Sequence, residues 1–360
     1  MTTVGRSSCI SRTRLTPEQL NLPTEQIRDG FFSDKYFDRA RQILAADQHN
    51  PTVLMQVFCR THAVLCGIDE ALAVLQTGSN TWQDLQVEAL HDGDRVAPWE
   101  TVMTIRGPYQ AFAHLETLYL GVLARGTRVA SHTRDIVNAA NGKQVLFFGA
   151  RHDHYLTQIP DGYAALIGGA AAVATDAQGL LHKREGVGTI PHALIASYGG
   201  DSIKAAAKFV AHMPDDVALT ALVDFDNDCV GTSLAIARAL GQQLSAVRLD
   251  TSGSLVDKSL QGTPSELPGV NPLLVQRVRE ALDTAGYPQV RIVVSGGITA
   301  ARINEFTAQN SPIDAYGVGS SILSNEGRFD FTADIVEVDG QPLSKVGRSL
   351  TPNSRLTPVA

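Results

Sequence analysis

Two short runs, Arg291-Ile-Val-Val-Ser-Gly-Gly-Ile298 and Ala315-Tyr-Gly-Val-Gly-Ser-Ser-Ile322, constrain this chain more than anything else in it. Each is a β-rich run that ends in glycines. Ile292, Val293 and Val294 have the unbroken apolar character of a strand buried on both faces. Ser295-Gly296-Gly297 then allows a sharp turn, bare of side chains, into a helix expected to begin near Thr299. Gly317 and Gly319, followed by Ser320, are expected to repeat the device. Two neighbouring glycine turns at the carboxyl ends of parallel strands leave backbone N–H groups facing outward, where helix dipoles help them hold an anion. In a (β/α) barrel the last two strands are the usual phosphate site. Glycines that merely tighten a βα turn are the plainer alternative; two such turns in succession favour phosphate.

At 360 residues the chain has room for two domains or for a barrel with an appendage. A net charge of −7 speaks against a nucleic-acid or membrane partner, since neither polyanion attracts such a field. No apolar run reaches the length of a membrane span. Met1 to Arg14 lacks an apolar core, so it reads as a flexible arm and not as a secretory signal. The cysteines, at positions 9, 59, 66 and 229, show no Cys-x-x-Cys spacing and point to a reducing, cytoplasmic setting. Cys59 and Cys66 read as two small buried residues on one helix face.

In chain order, residues 16–110 read as a small α+β domain. It has a helix opening at Ser33-Asp34 and running to Ala46, a strand over Val53–Phe58 and a helix over Ile68–Leu75. A strand, an Asp92-Gly93 turn and a strand over Thr101–Ile105 follow. Pro108 is expected to open a long helix ended by Gly126, with a second helix over Thr127–Ala140. From Gln144 the pattern alternates strand and helix, the mark of a parallel sheet or barrel. Strands are expected at Gln144–Phe148, near Gly188–Ile190, and at Ala218–Val223, Ala246–Leu249, Arg291–Val294 and Ala315–Val318, with one more hidden near Leu166–Thr175. The fold class is therefore α/β: an irregular (β/α) barrel over 111–325 with an N-terminal α+β domain that the C-terminal segment, 326–348, rejoins. Residues 349–360 read as a loose tail.

Polar residues at strand ends are where a barrel keeps its chemistry. Arg151 offers a fork for a carboxylate or phosphate. His192 follows a strand by way of Thr189 and Pro191. Asp224 and Asp250 each end a strand, Asp250 together with Arg248 and Thr251; capping the next helix is the competing role for such aspartates. Two arginines, two aspartates, a histidine and a phosphate nest suit a phosphorylated sugar carrying Mg²⁺ and an anionic co-substrate.

These residues, taken in order, resemble the nicotinate phosphoribosyltransferase family, the type II phosphoribosyltransferases. The resemblance rests on Ser33-Asp34-x-Tyr36-Phe37, Glu116-Thr117, Phe148-Gly149-x-Arg151 and Gly188-Thr189-Ile190-Pro191-His192. It continues through Val223-Asp224, Arg248-Leu249-Asp250-Thr251, Ser295-Gly296-Gly297 and Gly317-Val318-Gly319. It implies transfer of phosphoribose from phosphoribosyl pyrophosphate to nicotinate, in NAD synthesis, with active sites completed across a homodimer or larger homo-oligomer. By that similarity Tyr36 of the partner stacks on the pyridine, and Arg151, His152, Thr189 and Thr251 contact substrate. Arg248, Asp250 and Asp224 serve the ribose and pyrophosphate side, while Ser295, Gly296, Gly297, Gly317, Gly319 and Ser320 hold the 5′-phosphate. Mg²⁺ is carried on the pyrophosphate, near Asp224 and Asp250, and not in a protein cage. ATP is a co-substrate in those members that phosphorylate the histidine matching His192.

Two departures stand out. His152 replaces the family's common second arginine, and Phe225-Asp226-Asn227-Asp228 is more acidic than the usual sequence after the aspartate. The rival readings are quinolinate as the acceptor, a non-catalytic phosphoribosyl-binding relative, and a metal-dependent hydrolase using His152-Asp153-His154.

Overall fold

The computed structural model describes residues 13–264 and 266–359. The expected flexible arm lies, apart from its last two residues, outside the described residues. The chain divides into two compact units, one formed by the residues up to Ser131 together with those from Asn325 onward, the other by His132–Ser324. No helix among the described residues is long and apolar enough to cross a membrane.

The first unit is built on a six-stranded antiparallel sheet. Its central strand, Thr52–Cys59, pairs on one side with Thr101–Pro108 and on the other with Phe331–Val338. The C-terminal segment thus rejoins the N-terminal domain. Gln86–Ala89 pairs with the far side of Thr101–Pro108, while Arg95–Val96 leaves this sheet to pair with Ala63–Val64. Helix Ile68–Gly78 and the first part of the long helix supply the core against the sheet, with Leu72, Leu75, Leu115, Tyr119 and Leu123 all buried.

Three expectations are corrected here. The long helix is a single element, Glu116–Ala139, which Gly126 does not end. A Cβ at Gly126 would stand 2.8 Å from the carbonyl oxygen of Cys66, so this glycine permits close packing instead of stopping a helix. Next to it Thr127 and Ser131 extend the contact, their hydroxyls accepting from the N–H groups of Cys66 and Val64. Cys59 and Cys66 share no helix: Cys59 ends the central strand and Cys66 lies in the approach to Ile68, both buried and unpaired. The segment after Arg348 is tied down. Gln56, 2 % exposed, bonds both Ser349 and Thr351, Asn353 reaches Thr101, and Thr357–Pro358 pairs with Glu88–Ala89. Its Asn353 and Thr357 side chains and its open backbone groups find partners far away in sequence, which composition alone does not reveal.

The second unit is a six-stranded parallel sheet in the order Ala172–Val173, Gln144–Phe147, Ala315–Val318, Arg291–Val294, Leu244–Leu249, Leu219–Leu222. The strand expected near Gly188–Ile190 does not form. Instead this stretch passes between the two edge strands, Val187 donating to Val173 O and Ile190 to Thr220 O. Gly186, Gly188 and Pro191 deprive it of ladder geometry, and one bond to each edge is what remains. This is the irregularity of the barrel. The hidden strand is only Ala172–Val173, because Gln158–Gly168 is helix. The alternation of the strands sorts their side chains. Val145, Phe147, Val247, Leu249, Ile292 and Val294 are bulky and at most 1 % exposed, whereas the alternate positions mix small and polar residues such as Ala246, Ala315, Arg248 and Ser295 with Leu146, Phe148 and Val293.

Candidate active site

Those alternate positions, at the carboxyl ends of the strands, line a cavity of about 470 Å³. Arg248 occupies its wall, held on three sides. Its Nε donates to Ser295 Oγ at 2.8 Å, Nη1 to Thr189 Oγ1 at 3.1 Å and Nη2 to Asp250 Oδ2 at 3.1 Å. Ser295 Oγ in turn donates to Asp250 Oδ1 at 2.7 Å. The guanidinium lies over the Phe148 ring, 5.2 Å from its centroid. A guanidinium has five N–H donors, so three fixed bonds leave two for an anion while setting its orientation beforehand. Ser295 is 3 % exposed and its hydroxyl is committed to Arg248 and Asp250, so it positions these two groups instead of contacting phosphate through Oγ.

The two glycine turns differ, which corrects the expectation that one repeats the other. Gly296 and Gly297 have φ of +87° and +63°, a left-handed turn that strains any side chain. No acceptor among the described residues takes their N–H groups. Gly317 and Gly319 are not left-handed. A Cβ on Gly317 would lie 2.6 Å from the Phe148 ring, and one on Gly319 would lie 2.5 Å from His152 Cε1. These two are small so that Phe148 and His152 can pack across them.

His192, which lines the same cavity, opens the helix His192–Ser197. Its Nε2 stands 3.2 Å from each carboxylate oxygen of Asp224. The Asp224 side chain is 7 % exposed and that of His192 47 %. Burial pushes the Asp224 carboxyl up from its ordinary range, and His192 draws it back down. The competing role for Asp224, capping the next helix, belongs to Asp228, whose Oδ1 accepts from Gly231 N. The acidic run is thereby explained: Asn227 takes a left-handed φ and bonds Val256 O, Asp228 caps, and neither Asp226 nor Asp228 lines the cavity.

Arg151, His152 and Ser320 also line the cavity, and Arg151 is exposed. Thr251 does not: it is 4 % exposed, its hydroxyl 3.3 Å from Cys229 Sγ. Tyr36 belongs to the first unit, where it is 62 % exposed on helix Lys35–Ala46. His154 is turned to another task, Nδ1 accepting from Leu156 N, so it does not converge with His152 on a metal. Phe148 is the residue whose part sequence reasoning missed. Its signal was parity: it falls two places after Leu146, on the inner face.

Two family models cover most of the chain. Quinolinate phosphoribosyl transferase, N-terminal domain, matches residues 34–127, and the C-terminal domain of the same description matches 129–332. Nicotinate phosphoribosyltransferase pncB1 of Mycobacterium tuberculosis (strain H37Rv) is 32% identical over 269 residues, 72% of this chain and 55% of that protein. Nicotinate phosphoribosyltransferase of Bacillus subtilis is 25% identical over 280 residues, 75% of this chain and 53% of that one. The chain spans about half the length of these relatives. Among solved structures, nicotinate-nucleotide pyrophosphorylase from Pyrococcus furiosus matches with a TM-score of 0.79 and 33% identity, over 93% of this chain and 84% of that one.

Proposed function

The chain belongs to the quinolinate phosphoribosyl transferase family, and from that premise we propose that it transfers phosphoribose from phosphoribosyl pyrophosphate to nicotinate. The products are nicotinate mononucleotide and pyrophosphate, within pyridine nucleotide synthesis. The observation that carries this reading is the clamped Arg248 beside the bare Gly296-Gly297 turn: two anion-binding devices in one cavity.

In this reading the N–H groups of Gly296 and Gly297, with Ser320, take the 5′-phosphate, and Arg248 takes the pyrophosphate. Displacement at the anomeric carbon passes through an oxocarbenium-like state, which the Asp250 carboxylate stabilises while Arg248 stabilises the departing charge. The pyridine nitrogen is itself the nucleophile, so positioning matters more than proton transfer. Mg²⁺ travels on the pyrophosphate. Both Asp250 oxygens already accept hydrogen bonds, which suits a metal held mainly by substrate and water, with Asp224 and Asp250 as outer partners. Tyr36 of a second copy stacks on the ring, making the working form a homodimer or larger assembly, in the cytoplasm.

His192 is the group for ATP coupling. With Nε2 turned to Asp224, its Nδ1 keeps the lone pair that would take a phosphoryl group. The second reading, quinolinate, draws on the description of the family models. It asks for cations matching two carboxylates. Apart from the clamped Arg248, the one arginine among the described residues that lines the cavity is Arg151, which fits a monocarboxylate better.

Pyrophosphate release from phosphoribosyl pyrophosphate and Mg²⁺, with nicotinate, nicotinamide and quinolinate in parallel and with or without ATP, tests this. Release with nicotinate and not quinolinate is expected, increased by ATP in wild type and unaffected by ATP in His192→Asn. Release with quinolinate alone would replace the nicotinate reading.

A further inference from the structure

A second cavity, of about 670 Å³, runs along the inner face of the same parallel strands toward their amino ends. It meets the rim cavity at Phe148, Val187, Gly188 and Thr189, which line both. Barrel interiors are ordinarily filled by layers of branched side chains. Here the middle layer consists of Leu146, Ala172, Thr220, Ala246, Val293 and Ala315. Three alanines and a threonine leave it unfilled, although the opposite face of the same strands carries large buried residues such as Val145, Phe147, Val247, Ile292 and Tyr316.

The mouth of this cavity differs in charge from the rim. Glu185, Asp216 and Asp314 surround it with Arg291, all exposed, so carboxylates outnumber cations. At the rim Arg151 and Arg248 outnumber Asp250. Anions suited to the rim are turned away here. A cation gains at the mouth but loses its hydration among the methyl groups of the middle layer. An uncharged ring does not. The volume lies in the usual range of small-molecule pockets, roughly 300–1,000 Å³, and the walls have their composition: apolar, with isolated hydrogen-bonding groups at Thr220 and Gln144. We propose that the lower barrel is a second binding site, for an uncharged planar aromatic molecule whose ring packs beneath Phe148 and whose polar end reaches Thr220 or Gln144.

The test is calorimetric titration of the full chain with benzamide, benzoate and benzylammonium, which share a ring and differ in charge. Benzamide is expected to bind saturably, one per chain, with benzoate and benzylammonium at least about tenfold weaker. Ala246→Leu and Ala315→Leu, which fill the middle layer, should weaken benzamide by about tenfold or more. Their cooperative unfolding and their binding of inorganic pyrophosphate at the rim should be retained. If the leucine variants do not fold, Thr220→Val, which keeps the shape and removes the hydroxyl, should weaken benzamide several-fold. Absent saturable binding, equal binding of all three probes, displacement of benzamide by pyrophosphate, or affinity unchanged in the folded variants would each overturn the proposal.

Discussion

Both units are organised on six-stranded sheets, and the sheets spend their residues differently. In the antiparallel sheet the central strand is buried from Val53 to Cys59 on both faces, and its one amide, Gln56, is matched at both ends by backbone partners at Ser349 and Thr351. In the parallel sheet one face carries most of the buried bulk, and the other holds Arg248, Asp250 and Ser295, bonded to one another. One sheet is nearly all packing; the other divides packing from chemistry by the parity of its strands. Substitutions should therefore affect stability in the first unit and turnover on the inner face of the second.

The largest effect expected is for Arg248→Ala. Loss of the clamped guanidinium should lower pyrophosphate release by on the order of a thousandfold, with little change in thermal unfolding. A variant that loses its fold instead would make Arg248 structural and end the contrast. Leu123→Ala, fully buried in the first unit, should cost about 3 kcal/mol in denaturant unfolding while the folded fraction keeps its turnover per molecule. A matching fall in turnover would show that the division of labour is not real.

The smallest effect is electrostatic. Burial, reinforced by Asp334 and Asp34, pushes the Glu116 carboxyl from its ordinary 4.5 up to about 7. The folded chain thus keeps a proton that the unfolded chain gives up, and stability falls as pH rises from 4.5 through 7. Glu116→Gln should raise the melting temperature by a few degrees at pH above 7 and leave it nearly unchanged at pH below 4.5. Melting curves at the two extremes decide it, and an equal shift at both would remove the titration argument.

The strands that carry the site were legible because runs such as Ile292-Val293-Val294 have one reading, and the polar residues that end them could be named from position alone. Residues whose role depends on a distant partner were not legible. Thr251 stands next to Asp250 in sequence, yet whether it faces the cavity or Cys229 is decided by packing. Gly126 looked like a helix stop because the carbonyl of Cys66 that it accommodates is far away in the chain. Gly317 and Gly319 matched Gly296 and Gly297 in sequence, and only their φ angles and neighbours separate a left-handed turn from a close approach.

The pairing of Thr52–Cys59 with Phe331–Val338 carries a consequence for synthesis. Thr52 N–H bonds the carboxylate of Asp339, 287 residues later. As the chain emerges from the ribosome, one edge of this strongly apolar strand waits while the entire parallel unit is made. An unpaired apolar edge is a template for association between nascent chains. Opening the chain before residue 325 by circular permutation, so that residues 325–360 precede the first unit, would shorten that wait, so the permuted order should give more soluble protein when expression is fast.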